Sequence, residues 1–105
     1  MVKEIKDMSE FNAQLSEAGA KLVVVDFFAP WCGPCKVIAP QIEEWSKNME
    51  DVVFIKVDVD EAEDIAQHYN ITAMPSFFLF KETKKVADLV GANTAKLEEL
   101  IKSHK

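Results

Sequence analysis

The central part of the chain reads Leu22-Val23-Val24-Val25-Asp26-Phe27-Phe28-Ala29-Pro30-Trp31-Cys32-Gly33-Pro34-Cys35-Lys36. Residues 22–29 are almost continuously apolar and rich in β-branched and aromatic side chains, which predicts a strand that is covered on both faces of a parallel sheet. After Cys35, apolar side chains recur at helical spacing and predict a long amphipathic helix, with a stripe formed by Ile38, Ala39, Ile42, Trp45 and Met49. A strand that runs directly into a helix is typical of an α/β fold.

Strands and helices continue to alternate on both sides of this segment. Further strands are predicted at residues 2–5, 52–59, 76–80 and 85–90. Further helices are predicted at residues 10–18 with Ser9 as N-cap, from the capping-box pair Asp60 and Glu63 to about residue 69, and from Asn93 or Thr94 onward. The order βαβαβαββα predicts one α/β domain over residues 1–105, with a central mixed five-stranded sheet, an antiparallel final hairpin and four flanking helices.

Length and charge exclude several classes of protein. A chain of 105 residues is too short for two domains, and 49% hydrophobic residues suffice for one core. The net charge of −6 disfavours a nucleic-acid partner, because phosphates would be repelled. Residues 1–7 lack the apolar run of a signal peptide, and no segment reaches the ~18 apolar residues of a membrane span. A cytosolic protein without a membrane partner is therefore expected.

The two cysteines of the chain form the motif Cys32-Gly33-Pro34-Cys35. A disulfide between them would close too small a loop to stabilise a fold. If Cys32 begins the helix, however, the two Cα atoms lie roughly 5 Å apart, within the range that a disulfide accepts, so the pair can alternate between dithiol and disulfide. The positive end of the helix dipole favours a thiolate at Cys32, which predicts an attacking Cys32 and a shielded, resolving Cys35.

Two other interpretations of the cysteine pair compete with redox chemistry. A zinc site would need further ligands, and the chain offers only His68 and His104, without a second cysteine pair. Two buried structural thiols would be expected among core-filling residues, whereas Trp31, Gly33 and Pro34 surround this pair. Thiol–disulfide exchange is therefore the favoured function.

Asp26 is a carboxylate in the middle of an apolar strand, where an unpaired charge is unfavourable. We expect burial to raise its pKa, and its position before the cysteine helix to place it beneath Cys35, for which it would act as general acid and base. The alternative is a carboxylate that reaches solvent or a lysine at the end of the sheet, with Lys56 as the expected partner.

Farther along the chain, Met74-Pro75 opens a strand, and the residues alone do not distinguish a cis from a trans peptide bond.

These motifs together resemble the thioredoxin family, and the resemblance extends over the whole chain. The residues that carry it are Asp26, the run Trp31-Cys32-Gly33-Pro34-Cys35-Lys36, Pro40, Met74-Pro75 and Gly91-Ala92. The runs Val23-Val24-Val25-Asp26-Phe27 and Val57-Asp58-Val59-Asp60 make the chain most similar to cytosolic animal members. The resemblance implies the thioredoxin fold, with Cys32 as nucleophile, Cys35 as resolving thiol and Asp26 as the buried proton acceptor and donor.

The resemblance also implies a substrate site, partners and a cellular role. Pro75 would be cis and would flank the active site, beside a substrate-binding surface of Trp31, Gly33, Pro34, Met74, Gly91 and Ala92. No cofactor would be bound, because electrons would come from NADPH through a flavin-containing thioredoxin reductase. The substrates would be disulfide-containing proteins such as peroxiredoxins. The chain would act as a monomer in electron transport and cell redox homeostasis, in the cytoplasm and also in the nucleus.

Some residues depart from the family pattern. Animal members often carry further cysteines in the second half of the chain, where this sequence has Ala62, Tyr69 and Ala73, so regulation through such thiols is not expected.

Residues 28–32 are also similar to protein disulfide isomerase domains, although Pro34 between the cysteines favours a reductant. Two alternatives to a disulfide reductase remain: a redox-switched binding adaptor without turnover, and an isomerase-like oxidase.

Overall fold

The computed structural model describes the whole chain, Met1–Lys105. Five strands and four helices follow one another in the predicted order βαβαβαββα. The strands are β1 (Lys3–Glu4), β2 (Leu22–Phe28), β3 (Val52–Asp58), β4 (Ser76–Lys81) and β5 (Lys84–Val90). The helices are α1 (Met8–Glu17), α2 (Gly33–Asn48), α3 (Glu63–His68) and α4 (Thr94–His104). None of these helices is long and apolar enough to cross a membrane.

The five strands form one mixed sheet in the order β1-β3-β2-β4-β5. Strands β1, β3 and β2 are parallel, whereas β4 is antiparallel to β2 and β5 is antiparallel to β4. The predicted central strand β2 has hydrogen-bonded neighbours on both sides and a core on each face, which explains its almost continuously apolar sequence. The mixed five-stranded sheet with an antiparallel final hairpin is thus confirmed.

Both faces of the sheet are covered by helices. On one face Val23, Val25 and Phe27 of β2 belong to a core of eleven buried residues to which α1 and α3 contribute. On the opposite face Leu22 and Val24 belong to a second core of equal size, to which α2 and α4 contribute. Because side chains alternate along a strand, Asp26 falls on the same face as Val24 and points towards α2.

Helix capping differs from the prediction in two places. Helix α1 begins at Met8, and the N-cap is Asp7, whose Oδ1 accepts a hydrogen bond from the Glu10 N–H at 2.8 Å, so Ser9 lies inside the helix. Helix α3 begins at Glu63 without a side-chain cap. The predicted capping box is wrong because residues 60–62 form a turn on Asp58, whose carbonyl accepts hydrogen bonds from the N–H groups of residues 61 and 62.

The apolar stripe of α2 is narrower than predicted. Ile38, Ile42 and Trp45 are buried as expected, but Ala39 is exposed. The physical reason is that the part of the sheet opposite Ala39 presents Asp26 and Lys56, which offer no apolar surface for it to pack against.

Candidate active site

The two cysteines stand where α2 begins. Cys32 is the N-cap in an extended conformation, and Pro34 lies in the first turn, where its missing N–H leaves no partner unsatisfied. A disulfide joins Cys32 to Cys35 across a Cα separation of 5.3 Å, close to the value that helix geometry predicts. The Cys35 N–H also donates a hydrogen bond to the Cys32 sulfur at 3.2 Å. The helix N-terminus therefore already contacts the sulfur atom that the sequence selects as nucleophile.

The disulfide lies beyond the carboxyl end of β2, in a small apolar cluster. Ala29, Cys32 and Cys35 are buried together, and Met74 and Val59 pack against them. Both cysteines are only 4% exposed in this oxidised form, so the exposed fraction confirms a shielded Cys35 but does not distinguish it from Cys32. The difference between the two thiols lies instead in their place on the helix: Cys32 precedes the first turn and Cys35 is within it.

Asp26 lies beneath the cysteine helix as predicted. Its side chain is buried, with 6% of the residue exposed, and its Oδ1 atom has no hydrogen-bond partner. Burial raises the pKa of Asp26 to about 7, and the positive charge of Lys56 opposes this rise only in part. A carboxyl with a pKa near neutrality can both accept and release a proton under physiological conditions.

Lys56 is the neighbour of Asp26 on β3 but not its ion-pair partner. The two residues are paired in the parallel register of β2 and β3, yet their charged atoms form no salt bridge within 4.0 Å. The Lys56 Nζ lies 5.6 Å from the centre of the Phe28 ring, within reach of a cation–π contact. Lys56 therefore acts on Asp26 through its charge, without a close ion pair.

A cavity of about 170 Å³ connects Asp26 to the redox centre. Its lining includes Asp26, Cys35 and Lys56, with Lys36 and Pro30 at the helix start. The carboxyl and the resolving cysteine line the same cavity, so a proton can pass between them through water held there.

The predicted substrate-binding surface surrounds the disulfide on the outside. Trp31 is 67% exposed, Gly33 and Pro34 are exposed, and Met74, Gly91 and Ala92 are half-buried. Large exposed apolar side chains are uncommon on this molecule, and the indole of Trp31 is the largest of them. An exposed aromatic ring beside a reactive disulfide is typical of a protein-docking site.

Asp60 is a residue of this surface that sequence reasoning missed. Its Oδ2 accepts a hydrogen bond from the Trp31 Nε1–H at 3.0 Å, which fixes the ring over the edge of the site. A groove of about 260 Å³ runs from Trp31 and Asp60 to Met74. No sequence pattern marks this contact, because it depends on the turn on Asp58, which makes Asp60 unavailable as a helix cap.

The loop before β4 forms the other wall of the site. The Met74–Pro75 peptide bond is cis, as the family resemblance implied, and Pro75 is buried. The Pro75 carbonyl accepts a hydrogen bond from the Gly91 N–H at 2.8 Å, which ties the two predicted site segments together. The backbone N–H and carbonyl of Met74 make no hydrogen bond, so they are free to pair with an extended segment of another chain.

The structure contains no set of ligands for the zinc site considered above. No three His, Cys, Asp or Glu side chains are grouped closely enough to hold a metal ion. The His68 ring stacks edge-on against Tyr69, and the His104 Nδ1 is hydrogen-bonded to the Leu100 carbonyl. The two histidines are therefore engaged elsewhere in the fold.

A redox-active Cys32–Cys35 pair at a helix N-terminus, above a buried carboxyl in a mixed α/β sheet, defines a dithiol–disulfide oxidoreductase. The thioredoxin family model matches residues 2–103. The chain belongs to the thioredoxin family. A disulfide-reducing enzyme is the activity that this membership and the cysteine motif support.

Similar proteins cover the chain from end to end. A thioredoxin from Ophiophagus hannah is 51% identical over 99% of both chains, and thioredoxin-1 of Schizosaccharomyces pombe is 54% identical over 99% of both. The structure of Fasciola hepatica thioredoxin matches with a TM-score of 0.97 at 43% identity, covering 99% of this chain and 100% of that one. A yeast chain from a study of thiol resolution in mitochondrial 1-Cys peroxiredoxin via glutathione and thioredoxin systems matches with a TM-score of 0.90 at 36% identity, over 97% and 94% of the chains.

Proposed function

We propose that this chain reduces disulfide bonds of other proteins by two successive exchanges at Cys32 and Cys35, and that a flavin-containing thioredoxin reductase returns it to the dithiol with electrons from NADPH. The observation that carries the proposal is the Cys32–Cys35 disulfide at the start of α2, with the unpartnered carboxyl of Asp26 beneath it. No cofactor is needed on the chain itself, because the two cysteine sulfurs hold the electron pair.

In the first exchange Cys32 is the nucleophile. Its thiolate attacks one sulfur of the substrate disulfide, a bond forms between the Cys32 sulfur and that sulfur, and the other substrate sulfur leaves as a thiolate and takes a proton. The hydrogen bond from the Cys35 N–H and the open amides of the helix N-terminus support this role, because both stabilise negative charge on the Cys32 sulfur.

In the second exchange Cys35 resolves the mixed disulfide. The Cys35 thiol gives its proton to the Asp26 carboxylate, and the resulting thiolate attacks the Cys32 sulfur. The Cys32–Cys35 disulfide forms, and the second substrate sulfur leaves as a thiolate and takes a proton from water. The substrate has gained two electrons and two protons, and this chain has lost the same two electrons. The pKa of Asp26, raised to about 7 by burial, supports its role as the proton acceptor near neutral pH.

Substrates dock by apolar contact and backbone pairing. Trp31, Gly33, Pro34, Gly91 and Ala92 form the apolar rim, and the free N–H and carbonyl of Met74 pair with an extended substrate segment. Such contacts depend little on which side chains the substrate segment carries, so this chain can bind many different proteins. Peroxiredoxins are one class that we propose, supported by the yeast neighbour from a peroxiredoxin study.

The cellular setting follows from the same chemistry. A donor of electrons to protein disulfides works in a reducing compartment, and we propose the cytoplasm, with the nucleus as a second site, as the place where this chain supports electron transport and redox homeostasis.

The experiment that tests the proposal traps the intermediate. Cys35→Ser is expected to accumulate mixed disulfides through Cys32 with a protein disulfide such as that of insulin, whereas Cys32→Ser is expected to form none. In parallel, the wild-type chain with NADPH and thioredoxin reductase is expected to reduce the same substrate for many turnovers. Trapping without turnover would instead indicate a binding adaptor, and failure to trap would remove the mechanism.

A further inference from the structure

Two cavities meet at Asp26. The first, of about 170 Å³, contains Cys35 and is bounded by Pro30 and Lys36. The second, of about 30 Å³, lies on the other side of the carboxyl and is bounded by Val2, Ile42 and Glu43. Three residues line both cavities: Asp26, Ala39 and Lys56. Asp26, a buried carboxyl with an unpartnered oxygen, thus adjoins cavity space on two sides.

The second cavity results from one stripe of α2. Cys35, Ala39 and Glu43 are spaced four residues apart, so they follow one another along the same side of the helix. Opposite them, the paired residues Asp26 and Lys56 form the floor on the sheet. A volume of about 30 Å³ is enough for one or two water molecules, and a passage of that size conducts protons but excludes substrates.

The two cavities differ in what covers them during a reaction. Pro30 and Lys36 adjoin the docking residue Trp31 and the resolving Cys35, so the first cavity opens beside the surface that a substrate occupies. Glu43 lies eight residues along the helix from Cys35, roughly 12 Å away at 1.5 Å per residue. The second cavity therefore opens away from the docking surface.

Few of the groups around Asp26 can accept its proton. Helix α2 presents Cys35, Lys36 and Glu43, strand β3 presents Lys56, and the chain before β1 presents only the apolar Val2. The neighbouring residue on β4 is Phe77, which carries no charge. Among these, Glu43 is the one carboxylate, and it is half-buried.

We propose that the second cavity is a proton exit, in which Glu43 accepts the proton of Asp26 through water beneath Ala39 and releases it to solvent while a substrate covers the docking surface. The inference rests on the proposed function of Asp26 as the proton acceptor for Cys35. The proton moves from the Cys35 thiol to Asp26, then to Glu43 and to bulk water, with no covalent bond changed. Glu43 acts through Asp26 and is a positioning residue.

Glu43→Gln tests the exit, and Glu44→Gln is the matched control, since Glu44 is exposed and lines neither cavity. Two kinds of measurement are made from pH 5 to 9. The first is the single-turnover rate at which the reduced chain reduces a protein disulfide, and the second is steady-state turnover, which gives kcat and KM. We expect Glu43→Gln to lower kcat about fivefold with KM unchanged, less than the ~10²-fold effect of losing a general base, because the larger cavity still conducts protons. Glu43→Asp should restore most of the rate, and Glu44→Gln should match wild type.

Ala39→Leu closes the passage without removing a charge. Because Ala39 lines both cavities, this variant is expected to lower kcat at least as much as Glu43→Gln and to raise the pKa of Asp26, followed by carbon NMR of its carboxyl, as water leaves them. Ala13→Leu on the exposed side of α1 controls for an added surface leucine and should behave as wild type. Equal rates for Glu43→Gln and Glu44→Gln, or an unchanged rate in Ala39→Leu, would overturn the exit. Wild-type turnover and Cys35→Ser trapping in the same assays would show that the proposed function stands regardless.

Discussion

Replacing Asp26 by asparagine is expected to stabilise the chain by an amount that depends on pH. The pKa of Asp26 lies at about 7 in the folded chain, against an ordinary value of 3.8, because burial disfavours the charged form more than Lys56 favours it. Each tenfold change in proton affinity corresponds to about 1.4 kcal/mol, so ionisation destabilises the folded state by roughly 4 kcal/mol. Asparagine has the same shape and stays neutral at every pH.

The pH dependence has a definite sign. A carboxyl whose pKa is raised on folding binds more protons in the folded than in the unfolded state between pH 3.8 and about 7, so wild-type stability falls as the pH rises through that window. The advantage of Asp26→Asn should therefore grow by about 1.4 kcal/mol per pH unit up to neutrality and level off near roughly 4 kcal/mol above it.

Urea unfolding of the oxidised proteins from pH 5 to 9 measures this difference. The disulfide stays closed in both proteins, so titration of the cysteine thiols does not contribute. Two-state free energies of unfolding at each pH give the advantage of the variant directly. A difference that stays constant across the whole range would show that Asp26 is not buried as an acid of raised pKa, and the proton-transfer role assigned to it would fail with it.

Four further substitutions have expected outcomes that follow from single local features. Asp7→Ala should lower the free energy of unfolding by about 1 kcal/mol, because it removes the cap of α1, whereas Ser9→Ala should change it by less than about 0.5 kcal/mol; thermal or urea unfolding compares the two. Gly91→Ala should cost roughly 1–3 kcal/mol in the same assay, because Gly91 has a φ of 102° and an added methyl group meets no atom within 4 Å, so the loss comes from the backbone alone. Trp31→Ala should leave stability within about 1 kcal/mol of wild type but lower kcat/KM for a protein disulfide about tenfold or more, since the exposed indole is a docking contact; an unchanged kcat/KM would remove Trp31 from the docking surface.

The order of elements and the redox centre were predictable because their signals are local. Hydrophobic periodicity is determined by neighbouring residues, and it located β2 and α2 to within a residue or two. The spacing of Cys32 and Cys35 determines their separation once a helix begins between them. Asp26 was recognisable because a single carboxylate in an apolar strand is an exception that demands an environment of its own.

The remaining features depend on contacts between distant segments. Whether Asp60 caps α3 or bonds to Trp31 is decided by a turn on Asp58, which the capping-box pattern does not encode. The lack of an ion pair between Asp26 and Lys56 depends on the conformation of the lysine side chain, whose ammonium group lies 5.6 Å from the centre of the Phe28 ring. Helical spacing alone places Ala39 on the apolar stripe, because it does not reveal that the opposite part of the sheet is polar.

The buried Asp26 serves the proposed activity but lowers the stability of the folded chain at neutral pH. A domain of this size is stable by about 5–15 kcal/mol, so a loss of roughly 4 kcal/mol at neutral pH is a large fraction of the total. The fold tolerates it because two cores of eleven buried residues fill both faces of the sheet. The disulfide closes too short a loop to contribute comparably, and its two cysteines belong to neither core. The redox cycle can therefore run on a scaffold whose stability depends more on the protonation of Asp26 than on the state of the cysteines.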